Sequence, residues 1–289
     1  MGGLLTMMDE KVFHGTRAKK KFGQHFLNDR NIIKKIVETA SIKEGDLVLE
    51  IGPGTGMLTR ELLDAGGRVI ALEVDDDLIG PLEKRFHGRE LTIVKSDALK
   101  VSYEALSNEH GGRFKLVANL PYYISGPLLS KLLTERAAFS IMVLMFQKEV
   151  AVRIASGPGS RDYGNLSVLS QAFTEVKKEF DVPSHLFSPK PKVDSSVVSF
   201  RVLPSPKIEI DDELFFRSVV RAAFGTRRKT LLNSLSSLGL SKADTAAALH
   251  EAGIDPIRRG ETLDLEEFGR LSRVLYRRSG RAENTGTMP

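Results

Sequence analysis

The 289-residue chain contains no cysteine, which rules out a disulfide framework and any thiolate metal site. Its six histidines are scattered, without HExxH or a similar ligand spacing, so no metal is expected in its chemistry. No apolar run approaches the roughly 18 residues that a membrane-spanning helix needs. The stretch Met1 to Glu10 is too short and too acidic for a secretory signal. These absences predict a cytoplasmic protein with no membrane partner, and no repeat of about 20 to 50 residues suggests a solenoid.

What is present is a globular composition, 41% hydrophobic and 27% charged, in a length that accommodates one ordinary domain and a smaller companion. The formal charge of +5 is modest, but its distribution is uneven. Lys11, Arg17, Lys19, Lys20 and Lys21 form one acid-free basic cluster, and Arg217, Arg221, Arg227, Arg228 and Lys229 form another. Each is equally compatible with a solvated surface and with a grip on phosphates.

Leu47 to Ile51 (LVLEI) reads as a buried strand running into Gly52-Pro-Gly-Thr-Gly56, after which Leu58, Leu62 and Leu63 carry helical spacing. The unit recurs as strand Arg68 to Glu73, helix Asp76 to Phe86 and strand Leu91 to Lys95, with further strands at Lys115 to Asn119 and Ile141 to Phe146. Such alternation predicts a doubly wound, mostly parallel α/β sheet with its ligands at the carboxyl ends of the strands. The helical stretch Gly164 to Phe173 and the strand-like Thr174 to Phe180 and Val193 to Leu203 read as the sheet's remaining edge. Beyond a linker at Pro204 to Lys207, helices are expected at Asp211 to Ala223, Thr226 to Leu238, Ser241 to Ala252 and Leu265 to Arg277. The domains are accordingly 1–204, with an N-terminal basic arm, and 205–289, all-helical with a disordered tail.

Glycines at 52, 54 and 56 directly after a strand let a ligand approach the backbone. A dinucleotide fold would need GxGxxG, yet the sixth position is Met57 counted from Gly52 and Thr59 counted from Gly54, so the pyrophosphate turn is incomplete. S-adenosylmethionine, which has no phosphate, fits better: Glu73 suits ribose hydroxyls, and Asp97 can accept from the adenine amine. An Asp97 that merely caps the next segment is the plainer alternative.

Asn119-Leu-Pro-Tyr122 falls where the fourth strand ends. The Asn119 amide oxygen and the carbonyl preceding Pro121 can accept both hydrogens of an aromatic amine while Tyr122 stacks on its ring, freeing the nitrogen lone pair for a methyl. Alignment then supplies most of the acceleration.

Lys21-Phe-Gly-Gln-His-Phe-Leu27, Leu49 to Gly56, Asn119 to Tyr122 and Phe187-Ser-Pro-Lys-Pro-Lys-Val-Asp194 together resemble the ribosomal RNA adenine dimethyltransferase family, from about Lys19 to Arg278. The resemblance implies a Rossmann-like S-adenosylmethionine-dependent methyltransferase domain with a small all-helical C-terminal domain. It implies that His25, Leu27, Gly52, Glu73, Asp97 and Asn119 bind the cofactor, and that Asn119, Tyr122 and Phe187 act on the target base, Phe187 by stacking on its other face. It is strongest to the family's bacterial small-subunit branch. That branch implies dimethylation of two adjacent adenosines near the 3′ end of 16S ribosomal RNA within the immature 30S subunit, by a monomer. Two positions depart from the common pattern: Tyr123 stands where members often carry Asn or His, and His25 where many carry Asn.

Two other readings compete. A large-subunit RNA methyltransferase would share the Asn-Leu-Pro-Tyr logic, against which the Phe187 to Asp194 segment and the basic helical domain weigh. A non-catalytic RNA-binding assembly factor would have no need of an intact Asn119 to Tyr122 motif.

Overall fold

A computed structural model of the chain describes residues 24–226 and 228–279. The basic cluster from Lys11 to Lys21, the first residues of the Lys21 to Leu27 motif, Arg227 and the expected tail after Ser279 lie outside them.

The chain divides into two compact units, one taking Lys177–Val202 together with the chain up to Ala151, the other taking Val152–Val176 together with the chain from Leu203 onward. In the first unit, β1 (Phe26–Leu27) and α1 (Arg30–Ala40) precede β2 (Leu47–Ile51), α2 (Met57–Asp64), β3 (Arg68–Glu73), α3 (Asp76–Arg85) and β4 (Leu91–Lys95). Then come α4 (Tyr103–Glu109), β5 (Phe114–Asn119), α5 (Ser125–Thr134), β6 (Phe139–Gln147) and α6 (Lys148–Ala155). After α7 (Asn165–Phe173), which belongs to the second unit, follow β7 (Thr174–Val182), β8 (Phe187–Ser188) and β9 (Ser195–Val202).

Seven strands form one sheet in the order β4-β3-β2-β5-β6-β9-β7. Strands β2 to β6 run parallel, and β9 returns antiparallel to β6. Near-continuous apolar runs such as Phe139–Gln147 make these strands, because helices cover a parallel sheet on both faces. From β2 the chain steps through β3 to β4, then returns to the other side of β2 as β5 and β6. The order therefore reverses between β2 and β5, the place where open α/β sheets bind ligands.

The register lines up the strand tips. Ile51 is opposite both Leu72 and Ala118, so the next residue on each strand, Gly52, Glu73 and Asn119, falls in one row. Glu73 is opposite Lys95, two residues before Asp97.

In the second unit, α8 (Glu213–Phe224), α9 (Leu231–Ser234), α10 (Lys242–Glu251) and α11 (Leu265–Arg278) follow the linker. The last starts with a capping box: Asp264 Oδ1 accepts from the Glu267 N–H at 2.7 Å and Glu267 Oε2 from the Asp264 N–H at 2.9 Å. Two details differ from the sequence reading. The segment Thr226 to Leu238 is helical only from Leu231, ending in a 3₁₀ turn at Leu235–Leu238. Helix α7, assigned from sequence to the sheet's domain, packs with the helical unit: Phe173 meets Phe216 edge-on at 6.2 Å, and Lys207 N–H donates to the Ala172 carbonyl. Its periodicity reveals an apolar face without saying what covers it.

Candidate active site

A cavity of about 300 Å³ opens at the row of strand tips. Its wall includes Gly52, Glu73, Asp97, Asn119, Tyr122, His25 and Leu27, seven of the eight residues selected from sequence.

The glycine turn after β2 is needed at two positions for different reasons. Gly52 has φ +70° and faces open space, so its backbone conformation, rather than crowding, excludes a side chain. Gly54 has φ +57°, and a Cβ there would sit 2.9 Å from the Phe26 ring.

Glu73 closes β3 with its carboxylate buried; Oε1 accepts from the N–H groups of Val74 (2.9 Å) and Asp75 (2.8 Å). Burial pushes this carboxyl above its ordinary pKa, opposed by those N–H donors and by that of Gly54. Asp97 Oδ1 accepts from the Leu99 N–H at 2.9 Å, the local cap, while Oδ2 has no partner among the described residues. The capping and ligand-binding readings of Asp97 are therefore compatible.

Asn119 ends β5 with its Nδ2 donating to the His25 carbonyl at 3.0 Å. A carbonyl can only accept, so this bond fixes the amide's orientation and leaves Oδ1 without a partner among the described residues. Pro121 leads into the 3₁₀ turn Tyr122–Ile124, closed by Ile124 N–H on the Pro121 carbonyl. The Tyr122 hydroxyl bonds the Ser195 hydroxyl at 2.7 Å, and burial raises its pKa.

Residues 25–28 form a strap over the cavity. Phe26 is opposite Ser188 and Leu27 opposite Phe187 in an antiparallel pair, Asn28 N–H donates to the Leu186 carbonyl, and His25 Nδ1 donates to the Pro189 carbonyl at 2.6 Å. The His25 ring also stacks on Tyr122, centroids 5.5 Å apart and planes 26° apart. No base fits between rings that close, so a target stacked on Tyr122 uses its other face or displaces His25.

Phe187 is placed differently from the platform expected of it. It is 4% exposed, packed in the core cluster with Leu27 and Ile33, and outside the cavity wall. Its pairing with Leu27 instead ties the Pro189 loop to the strap.

Glu50 was not anticipated. It lines the cavity from inside β2, fully buried, with Oε2 accepting from the Thr59 hydroxyl at 2.7 Å and Oε1 without a partner. Burial, with the nearby Glu73 charge, pushes its pKa up to about 8 despite the Thr59 bond. The available signal was an acid in the interior of an otherwise apolar parallel strand.

In the second basic cluster, Arg221, Arg228 and Lys229 are exposed, but Arg217 is buried, paired with Glu213 at 2.8 Å and lying over the Phe173 ring. Its charge is used within the helical unit. Among the described residues there is no cluster of acidic and histidine side chains that could hold a metal, and no helix is long and apolar enough to cross a membrane.

A doubly wound sheet with a glycine turn after its first strand, a buried carboxylate at the tip of the second and an amide at the tip of the fourth defines the Rossmann-like methyltransferase class. The family profile described as ribosomal RNA adenine dimethylase matches residues 15–275. The chain is 47% identical, over 95% of its length and 97% of the relative's, to ribosomal RNA small subunit methyltransferase A of Moorella thermoacetica. It is 48% identical to the protein of that name from Pelotomaculum thermopropionicum, over 90% and 92%. The crystal structure of a dimethyladenosine transferase from Plasmodium falciparum superposes with a TM-score of 0.72 at 30% identity, covering 89% of this chain and 98% of that one. That of the 23S rRNA methyltransferase ErmE gives 0.64 at 29%, covering 86% and 99%. The chain belongs to the ribosomal RNA adenine dimethylase family.

Proposed function

We propose that the protein uses S-adenosylmethionine to dimethylate the exocyclic amines of two adjacent adenosines near the 3′ end of 16S ribosomal RNA, acting as a cytoplasmic monomer on the immature 30S subunit. The relatives named for the small subunit stand at 47–48% identity and the 23S enzyme at 29%, which favours the small-subunit substrate over the large. The proposed domains are the methyltransferase domain to residue 204 and the helical domain beyond it, with Val152–Val176 grouping with the helical one.

The cavity's chemistry fits the cofactor. Gly52 offers backbone with open space above it, Glu73 a buried acceptor for paired hydroxyls, Asp97 a free oxygen for an aromatic amine, and Glu50 an unpartnered buried oxygen. His25 and Leu27 would cover it from the strap. Bound there, S-adenosylmethionine supplies a methyl group on a positively charged sulfur.

The observation that carries the reading is the fixed amide of Asn119. With Nδ2 held on His25, Oδ1 is available to accept one hydrogen of the adenine amine. The Leu120 carbonyl, unbonded among the described residues, can take the other. Two acceptors draw the nitrogen toward tetrahedral geometry and aim its lone pair, while Tyr122 holds the ring plane. No strong base is needed, because the methylated nitrogen is acidic enough to release its proton to water. Phe187 serves from the core by holding the loop that carries Pro189 against His25.

The test is to incubate the protein with labelled cofactor and small subunits lacking the modification, then digest the RNA and identify the labelled nucleoside. Dimethyladenosine is expected; label in any other nucleoside, or none, overturns the reading.

A further inference from the structure

Tyr123 is 60% exposed and lines the mouth of the cavity. It is the one exposed phenylalanine or tyrosine among the described residues, and no hydrogen bond or ring contact occupies it. Its neighbour explains its direction. In a 3₁₀ turn successive side chains diverge by about 120°, so the bond that carries Tyr122 inward to Ser195 carries Tyr123 outward. The turn is stiff, with Pro121 before it and α5 directly after.

The surroundings are equally specific. Among the described residues of the first unit, the large exposed hydrophobic ones are Val74, Tyr123 and Val193. Val74 and Tyr123 line the cavity, and Val193 lies on the loop joined to it through Ser195–Tyr122 and Pro189–His25. Lys190 and Lys192 on that loop are exposed. An uncommitted aromatic face with cations nearby is how single-stranded nucleic acid is held.

We propose that Tyr123 is the stacking platform for the RNA base next to the one inserted in the cavity, so that it sets which nucleotide enters. The inference rests on the RNA-methylating reading above. With one adenosine in the cavity, its neighbour lies one nucleotide away at the mouth, where Tyr123 presents its ring; a purine stacks there without base-specific hydrogen bonds.

Base stacking of this kind is worth roughly ten- to a hundred-fold in affinity. Tyr123→Ala is therefore expected to raise KM for undermethylated small subunits by about that factor. Saturated kcat, melting temperature and cofactor Kd should stay at wild-type values, and Tyr123→Phe should restore KM. Since the sequence has no tryptophan, Tyr123→Trp creates a single reporter. Its fluorescence should be quenched by a protein-free oligonucleotide carrying two adjacent adenosines, with binding followed independently by anisotropy of labelled RNA. A wild-type KM in Tyr123→Ala, or an unquenched tryptophan on bound RNA, overturns the inference. Failure of the wild-type protein to methylate would instead overturn the reading beneath it.

Discussion

The Asn119 side chain donates to the His25 backbone carbonyl across 3.0 Å, so the strap and the tip of β5 hold one another in place. One bond thereby couples closure over the cavity to the direction of the acceptor oxygen. Asn119→Ala removes both and should lower methyl transfer by about a hundred- to a thousand-fold, the usual cost of losing one preorganised polar group. Asn119→Asp keeps an acceptor but sets a carboxylate oxygen against a carbonyl, and should lose activity with a weaker cofactor Kd as well. Tritium transfer to undermethylated subunits measures the first effect and calorimetry the second.

Tyr122 separates anchoring from stacking. Tyr122→Phe loses only the bond to Ser195, a net contribution of about 1 kcal/mol, and should retain most activity with a slightly lower Tm. Tyr122→Ala removes the ring and should abolish transfer while the protein remains folded, as thermal melting and single-turnover assays would show.

Much of this site was legible because parallel strands place their successors predictably: once β2 to β5 are read as neighbours, Gly52, Glu73, Asp97 and Asn119 converge. What escaped has physical causes. Phe187 between prolines offers the apolarity of a platform, but the same apolarity lets it fill the core beside Leu27. Arg217 looked like surface charge in an acid-free run, yet its partner Glu213 lies one helical turn earlier, outside that run. Glu50 gave a signal in LVLEI that an apolar strand pattern conceals.

Glu50 predicts a trade between stability and binding. Its folded pKa of about 8 stands above the ordinary 4.5, so between these values the unfolded chain releases a proton that the folded chain keeps. Stability from this group is full below 4.5 and falls as pH rises toward about 8. Glu73, also raised by burial, acts in the same direction. Glu50→Gln keeps the Thr59 bond and cannot ionise. Its Tm should exceed wild type by several degrees at pH 8 with little difference at pH 4.5, and at pH 8 or above, where the wild-type carboxyl ionises, cofactor affinity should weaken about ten-fold or more through loss of a charged partner. Melting curves across that range and a cofactor titration check both halves.

Gly54→Ala tests the turn. A left-handed φ costs an L-residue about 1–2 kcal/mol, to which the 2.9 Å approach of the Phe26 ring adds. The variant should melt a few degrees lower and bind cofactor more weakly. Adding Phe26→Leu should return part of the Tm by relieving the ring contact, leaving the backbone strain.

The basic surface of the helical unit should act through phosphates alone. Arg228 and Lys229 are exposed, and reversing their charge with that of Arg227 removes cations a displaced RNA strand would meet. Association with undermethylated small subunits should weaken, and its dependence on salt should flatten because fewer counterions are released on binding. Cofactor Kd, set by a cavity wholly within the other unit, should not change. Arg217→Glu is the contrasting control: its guanidinium is buried against Glu213 and Phe173, so this reversal should lower Tm rather than alter the salt slope. Equal RNA affinity and an equal slope in the triple reversal would remove these residues from the interface.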